Sequence, residues 1–202
     1  MTGLVQPVPV RQVPIVCLGG SAGSLEPCRE ILRHIPDDSA MAFVIVSHRA
    51  LENQEMLRNL LSRSARIPVI DITDAMPLAP ACVFLKPART DLTTDGLLLR
   101  TRASLPRQGW PVDITGFLLS VAQMCSSRVV AVILSGMGYD GSPALRSIKA
   151  NGGVVFAQSD ALYGDMPQSA VETGYVDFAL SATQIGEHLA AMHHNPPDNY
   201  RD

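Results

Sequence analysis

Three short segments of this 202-residue chain hold residue types that could carry out acyl transfer. The first, Gly19-Gly20-Ser21-Ala22-Gly23-Ser24, contains the pattern G-x-S-x-G. Glycines on both sides of a serine let the chain turn tightly from a strand into a helix, which lifts the hydroxyl clear of its neighbours. A helix starting beyond such a turn directs its first N–H groups and positive dipole end at the loop, where a developing oxyanion could be stabilised. The same turn has two plainer readings, a phosphate cradle or a packing turn without chemistry. The phosphate reading loses ground within the sequence. A Walker loop ends in Gly-Lys-Ser/Thr, and no lysine precedes Lys86. A dinucleotide fingerprint needs glycines two and five positions after Gly19, where Ser21 and Ser24 stand, and an acidic residue after the second strand, where His48 stands.

His48 is the second feature. It follows the run MAFVIVS (41–47) and so falls at the carboxyl end of an expected strand, where a general base belongs. Its plainer reading is a histidine hydrogen-bonded at a strand end. His34 suits the dipole at a helix C-terminus, and His188, His193 and His194 fall in the last helix or tail. The third feature is Ser135-Gly136-Met137-Gly138-Tyr139-Asp140-Gly141, directly after the apolar run VVAVIL. Here Asp140 reads either as a cap for the helix expected near Ser142 or as the orienting acid of a triad. The latter would fix the histidine tautomer and stabilise the imidazolium formed when the serine loses its proton. Asp71, Asp74, Asp91, Asp113, Asp160 and Asp165 compete for this role but lack comparable glycine surroundings. The order Ser, His, Asp differs from the Ser, acid, His order of the α/β-hydrolases and points away from them.

These residues need strands that end in one place. Short β-rich runs alternate with segments of helical period, the sign of a parallel α/β sheet. The runs are VPIVCL (13–18), MAFVIVS (41–47), IPVID (67–71), CVFLK (82–86), VVAVIL (129–134), GVVFA (153–157) and VDFAL (176–180). Several are apolar on both faces, as covered parallel strands should be. Leu25, Cys28, Ile31, Leu32 and Ile35 form one helical stripe ending before Pro36. The same period recurs in Met56, Leu57, Leu60 and Leu61, in Ile114, Phe117, Leu118, Val121 and Met124, and more weakly in Leu145 and Ile148. Between Asp74 and Thr101, CVFLK and LLLRT around Thr94-Asp95-Gly96 suggest an inserted β-hairpin. The expected fold is α/β, a doubly wound, mostly parallel sheet flanked by helices in a Rossmann-like three-layer arrangement. Its ligand-handling loops would lie at the carboxyl ends of the strands.

Composition narrows the class. The chain is 47% hydrophobic, 17% charged and 5% aromatic, which fits one compact domain with a sizeable core. A net charge of −3 argues against nucleic acid as a partner. Cys17, Cys28, Cys82 and Cys125 are too few and too scattered for a disulfide framework or a zinc site, which suits a reducing compartment. The longest apolar stretch, 40–46, is far short of the roughly 18 residues a membrane span needs. Residues 1–12 read as an extended arm, 13–192 as the folded domain and 193–202 as a polar tail.

With these segments in place, the chain resembles the catalytic domain of the chemotaxis protein-glutamate methylesterase family, CheB, over about Val13 to Leu189. The resemblance is carried by GGSAGS, the strand-end pair Ser47-His48, SGMGYDG, the segment IKANGG (148–153) and Met166-Pro167. It implies that Ser21 is the nucleophile, His48 the general base and acid, Asp140 the orienting carboxylate, and the backbone N–H of Met137 part of an oxyanion hole. It also implies hydrolysis of glutamyl methyl esters on the cytoplasmic domain of a methylated chemoreceptor, deamidation of receptor glutamines, a cytoplasmic location, and no metal or organic cofactor. Two departures stand out. Ser24 places a side chain where the family commonly has glycine, and only about a dozen residues precede the first strand, where family members usually carry a receiver domain. The chain is therefore expected to be a standalone domain or a piece of a longer protein containing a receiver or methyltransferase domain. The competing readings are a methylesterase-like adaptor module that has lost turnover, and a small-molecule esterase on the same scaffold.

Overall fold

The computed structural model describes residues 13–47, 54–105, 112–124 and 128–192. The expected arm and tail, His48 and Cys125 lie outside the described residues. The elements run β1 (Ile15–Gly20), α1 (Leu25–His34), β2 (Ala42–Ser47), α2 (Gln54–Ser62), β3 (Val69–Asp71), β4 (Cys82–Leu85), β5 (Thr90–Thr94), β6 (Leu99–Ala103), α3 (Asp113–Met124), β7 (Val129–Ile133), α4 (Leu145–Ala150), β8 (Val154–Gln158), α5 (Asp165–Glu172), β9 (Phe178–Leu180) and α6 (Ala182–Ala191). Seven of the strands form one parallel sheet in the order β3-β4-β2-β1-β7-β8-β9.

The central strands are buried on both faces, which is why their sequences read as unbroken apolar runs. Successive side chains alternate between two cores. Val16, Leu18, Phe43 and Ile45 meet Ile31 and Leu32 of α1, Leu61 of α2 and Ile185 and Leu189 of α6. Ile15, Cys17, Val44 and Val46 meet Ile114, Phe117 and Val121 of α3, Leu145 of α4 and Met166 and Ala170 of α5. The chain winds outward from β1 in both directions. Connections of one hand therefore put α1 and α2 on one face and α4 and α5 on the other. The winding reverses between β1 and β7, so the crevice above their carboxyl ends is the topological switch point.

The β-hairpin is present, with a different partner from the one expected. CVFLK supplies β4 of the main sheet, and the Thr-rich run Thr90–Thr94 pairs with β6 instead. Its polar sequence conceals it because only one side is covered: Leu92, Thr94 and Leu99 are buried, the two leucines in the core that α3 shares. Asp95 closes the turn by accepting from the N–H groups of Leu97 and Leu98, and with Arg100 this pulls its carboxyl down to about 2. Two expected stripe positions also differ. Met56 and Met124 are exposed, because α2 turns its Leu57–Leu61 side inward and Met124 sits at the exposed end of α3. The segment IKANGG builds the turn into β8. Gly152 has φ +80, and a Cβ on Gly153 would lie 2.8 Å from the Val129 carbonyl oxygen. This is the amino edge of the sheet, opposite the loops after β1 and β7, so the segment serves the fold.

Candidate active site

Ser21 is the first residue beyond β1, at the switch point. Its N–H donates to the Ser135 carbonyl (2.9 Å), continuing the β1–β7 pairing past its last ladder pair, Gly19–Ile133, and tying the serine loop to the glycine-rich loop. The turn then closes on itself, because the N–H and Oγ of Ser24 both donate to the Ser21 carbonyl, at 3.2 and 2.8 Å. Gly23 has φ +75, a conformation that favours glycine. A Cβ on Gly20 would lie 2.4 Å from the Ser24 Cβ, so the bare Gly20 is what admits the Ser24 side chain. The Ser24 side chain is thus absorbed into the turn as an extra hydrogen bond. The Ser24 hydroxyl consequently does not cap α1, whose N-terminal dipole end faces this loop.

Ser135 is the hub of the neighbouring loop, and inspection of the sequence assigned it no role. It is fully buried. Its Oγ donates to the Ala22 carbonyl (2.8 Å) and accepts from the Tyr163 N–H (3.0 Å), while its own N–H donates to Gln158 Oε1 (3.0 Å). A serine and a glutamine that each end a buried apolar strand must find partners, and that was the available signal. Gly136 donates to the Tyr163 carbonyl and accepts from the Met166 N–H, both at 3.0 Å. A Cβ on Gly136 would stand 2.2 Å from Met166 Sδ and 3.0 Å from Ser21 Cβ. Met166 therefore braces the glycine loop while the backbone of residue 136 lies against the nucleophile candidate. Met137 follows at once and is half exposed.

Asp140 is buried, 4% exposed, and heavily coordinated. One carboxylate oxygen accepts from Ile114 N–H (2.8 Å), the other from Thr115 N–H (2.9 Å), Thr115 Oγ1 (2.6 Å) and Gly141 N–H (2.8 Å). It does cap a helix, but α3 rather than the expected one near Ser142. That short 3₁₀ turn has Gly141 at its N-cap and no side-chain cap. Gly141 has φ +90 and leaves room for Ile114, whose side chain also fills the space a Cβ on Gly19 would need. Asp140 and the end of β1 thus share Ile114 as a common neighbour. Burial, with the negative charge of Asp140 adding to it, pushes the Cys17 thiol up and keeps it a neutral core residue.

A further pair fixes α3. Lys86 leaves β4 into the interior and reaches Asp113 at 3.0 Å; Asp113 is the first residue of the helix that holds Asp140. On the opposite face of the sheet, a cavity of about 210 Å³ opens beside Ser21, bounded by Leu25, Cys28, Ile45, Leu57 and Leu61 and also by Gly23, Ser24 and Ser47. Burial pushes the Cys28 thiol up to about 12. Among the described residues no cluster of three His, Cys, Asp or Glu is placed to hold a metal, and no helix is long and apolar enough to cross a membrane. The structure thus joins the Ser21 loop to the loop that carries Met137 and Asp140, while His48 is outside the described residues.

A model of the CheB methylesterase family matches residues 16–189. The chain belongs to that family. A CheB methylesterase catalytic domain from Thermotoga maritima superimposes with a TM-score of 0.81 at 27% identity, covering 89% of this chain and 98% of that one. A protein-glutamate methylesterase/protein-glutamine glutaminase from Carboxydothermus hydrogenoformans is 29% identical over 187 residues, 88% of this chain and 54% of that protein. An uncharacterized 104.1 kDa protein of Rhodobacter capsulatus is 40% identical over 136 residues, 66% of this chain but 14% of its own length. The CheB methylesterase domain here therefore spans about half the length of the named methylesterases, and a small part of the larger relative.

Proposed function

We propose that this chain hydrolyses glutamyl methyl esters on the cytoplasmic helical region of chemoreceptors. In this reading Ser21 is the nucleophile, His48 the general base and acid, Asp140 the orienting carboxylate, and the Met137 N–H an oxyanion donor. The observation that carries it is the join between two loops in a chain of this family. Ser21 is hydrogen-bonded to Ser135, and the segment beginning there continues through Met137 to a buried Asp140. Names of relatives, methylesterase and glutaminase together, support deamidation of receptor glutamines as a second activity of the same site.

The cycle balances with water alone. His48 takes the Ser21 proton as Oγ bonds to the ester carbonyl carbon, and backbone N–H groups hold the oxyanion. The bond to the methoxy group breaks, and methanol leaves with the proton from His48. Water, deprotonated by His48, then attacks the acyl carbon, the bond to Ser21 Oγ breaks as His48 returns the proton to that oxygen, and the glutamate side chain leaves as its carboxylic acid. With a glutamine substrate, ammonia leaves in place of methanol. In a longer protein, a receiver or methyltransferase domain would be the regulatory partner, and the large R. capsulatus relative supports use of this domain as one module among others. The test is methanol release from methylated receptor. Ser21→Ala should lower it by about 10³-fold or more. Equal release by both proteins would remove Ser21 from the role, and receptor binding without any release would favour an adaptor.

A further inference from the structure

β1 and β7 pair as far as Gly19 and Ile133; past that point one chain turns through Ser21 and the other enters the glycine-rich loop. Ser135 keeps them joined at two points. Its carbonyl accepts the Ser21 N–H at 2.9 Å, and its hydroxyl donates to the Ala22 carbonyl at 2.8 Å. These bonds hold the peptide planes before Ser21 and after Ala22, while Ser24 holds the plane between them through the Ser21 carbonyl. Peptide planes are rigid, so fixing three in succession fixes the backbone from which the Ser21 side chain projects. The same hydroxyl accepts the Tyr163 N–H at 3.0 Å, and the Tyr163 carbonyl accepts the Gly136 N–H at 3.0 Å. A carbonyl only accepts and an N–H only donates, so the hydroxyl proton has one direction, toward Ala22. One side chain thus ties together the loops after β1, β7 and β8. Gly23 permits the approach, because a Cβ there would stand 2.8 Å from Ser135 Oγ.

We propose that the Ser135 hydroxyl is a positioning residue for ester hydrolysis, holding the Ser21 turn in register with the loop that carries Met137. The assignment rests on Ser21 being the nucleophile. Ser135 exchanges no proton and acts through the Ala22 carbonyl and the Tyr163 N–H. Ser135 is fully buried, but its two side-chain bonds are only partly so. Without the hydroxyl, the Ala22 carbonyl and the Tyr163 N–H would turn to water, and the loops would lose their mutual position more than their hydrogen bonding. A nucleophile on one loop and an oxyanion donor on the next must address the same carbonyl, and a misplacement of about 1 Å costs about 100-fold in rate. Substrate binding in the ground state does not require that alignment, so the loss belongs in kcat.

The test compares Ser135→Ala, Ser135→Thr and Val129→Ala in methanol release from methylated receptor, at a temperature where melting curves show every variant folded. Ser135→Ala should lower kcat by at least about fivefold with KM within about twofold of the wild type. Ethyl p-nitrophenyl methylphosphonate, from which Ser21 Oγ displaces p-nitrophenolate, should label Ser21 more slowly by a similar factor. Ser135→Thr keeps the hydroxyl and should restore kcat to within about threefold. Ser135→Cys, close in size with a weaker donor, should fall between the two and serves if the alanine variant does not fold. Val129, buried at the other end of β7, is the control: Val129→Ala should lower Tm and leave kcat within about twofold. A smaller fall in kcat, a loss carried by KM, a threonine variant as impaired as alanine, or an equal kcat loss in Val129→Ala overturns the positioning role while Ser21 keeps its own. Absence of a Ser21 adduct in the wild type, with methanol release unchanged by Ser21→Ala, overturns the nucleophile assignment and this role with it.

Discussion

Replacing Asp140 tests the site's foundation separately from its chemistry, if the substitution is made in a Ser21→Ala background that is already inactive. Truncation to alanine removes the acceptor for four donors: the N–H groups of Ile114, Thr115 and Gly141 and the Thr115 hydroxyl. Thr115 Oγ1 already accepts from Gly141 N–H at 2.8 Å, so that donor keeps a partner. The two amides at the start of α3 lose theirs, in a place that is 4% exposed at Asp140 and closed over by Ile114. Each buried donor left unsatisfied costs about 1–3 kcal/mol, and losing a helix cap costs about 0.5–2 kcal/mol. Asp140→Ala should therefore destabilise the domain by about 2–4 kcal/mol, a drop of roughly 5–15 °C in Tm for a chain of this size. Asp140→Asn keeps one oxygen acceptor but turns an NH₂ toward an N–H, and should lose about half as much. Urea unfolding followed by circular dichroism measures both. A stability within about 0.5 kcal/mol of the parent for Asp140→Ala would refute the claim that this carboxylate caps α3.

Gly136→Ala would place a methyl 2.2 Å from Met166 Sδ and 3.0 Å from Ser21 Cβ, and should lower kcat by about 100-fold in the methanol-release assay; an unchanged kcat would show that the loop can yield there. Cys17 and Cys28 should resist iodoacetamide at pH 8 in the native protein and react in urea, as peptide mass mapping would report. Because the folded thiol pKa lies above the unfolded value, the unfolded chain releases these protons first; stability should hold below about pH 9 and decline as pH rises from there towards 12, which denaturation midpoints across that window would check. Lys86→Met removes the ammonium 3.0 Å from Asp113 and should cost about 1–3 kcal/mol, part of it recovered when Asp113→Asn is added. Additive losses in that double-mutant cycle would show that the pair does not act as a unit.

Much of the candidate site's layout was legible because its signals are local. A glycine-flanked serine after an apolar run, and a carboxylate among three glycines after another, mark turns at strand ends whatever the rest of the chain does. The strand runs were legible for a similar reason: a strand covered on both faces has little freedom in composition, so VVAVIL and MAFVIVS can be read without their partners. The half-covered β5 escaped notice because one buried face leaves only Leu92 and Thr94 as a signal in Thr-Asp-Leu-Thr-Thr.

The residues by themselves determined that this is an α/β domain with its candidate functional residues in loops at strand ends, since period, turn composition and burial pattern are properties of short segments. Which loops meet was decided by the tertiary structure. Ser21 bonds to a carbonyl 114 residues away, and Asp140 caps a helix 25 residues before it instead of the turn that follows. Ser135 and Gln158 become a hub, and Leu57 of one helix and Leu25 of another line one cavity that no single segment encodes. Those partnerships depend on the order in which strands join the sheet and on the reversal of winding between β1 and β7. They arise from long-range packing, which local periodicity does not record.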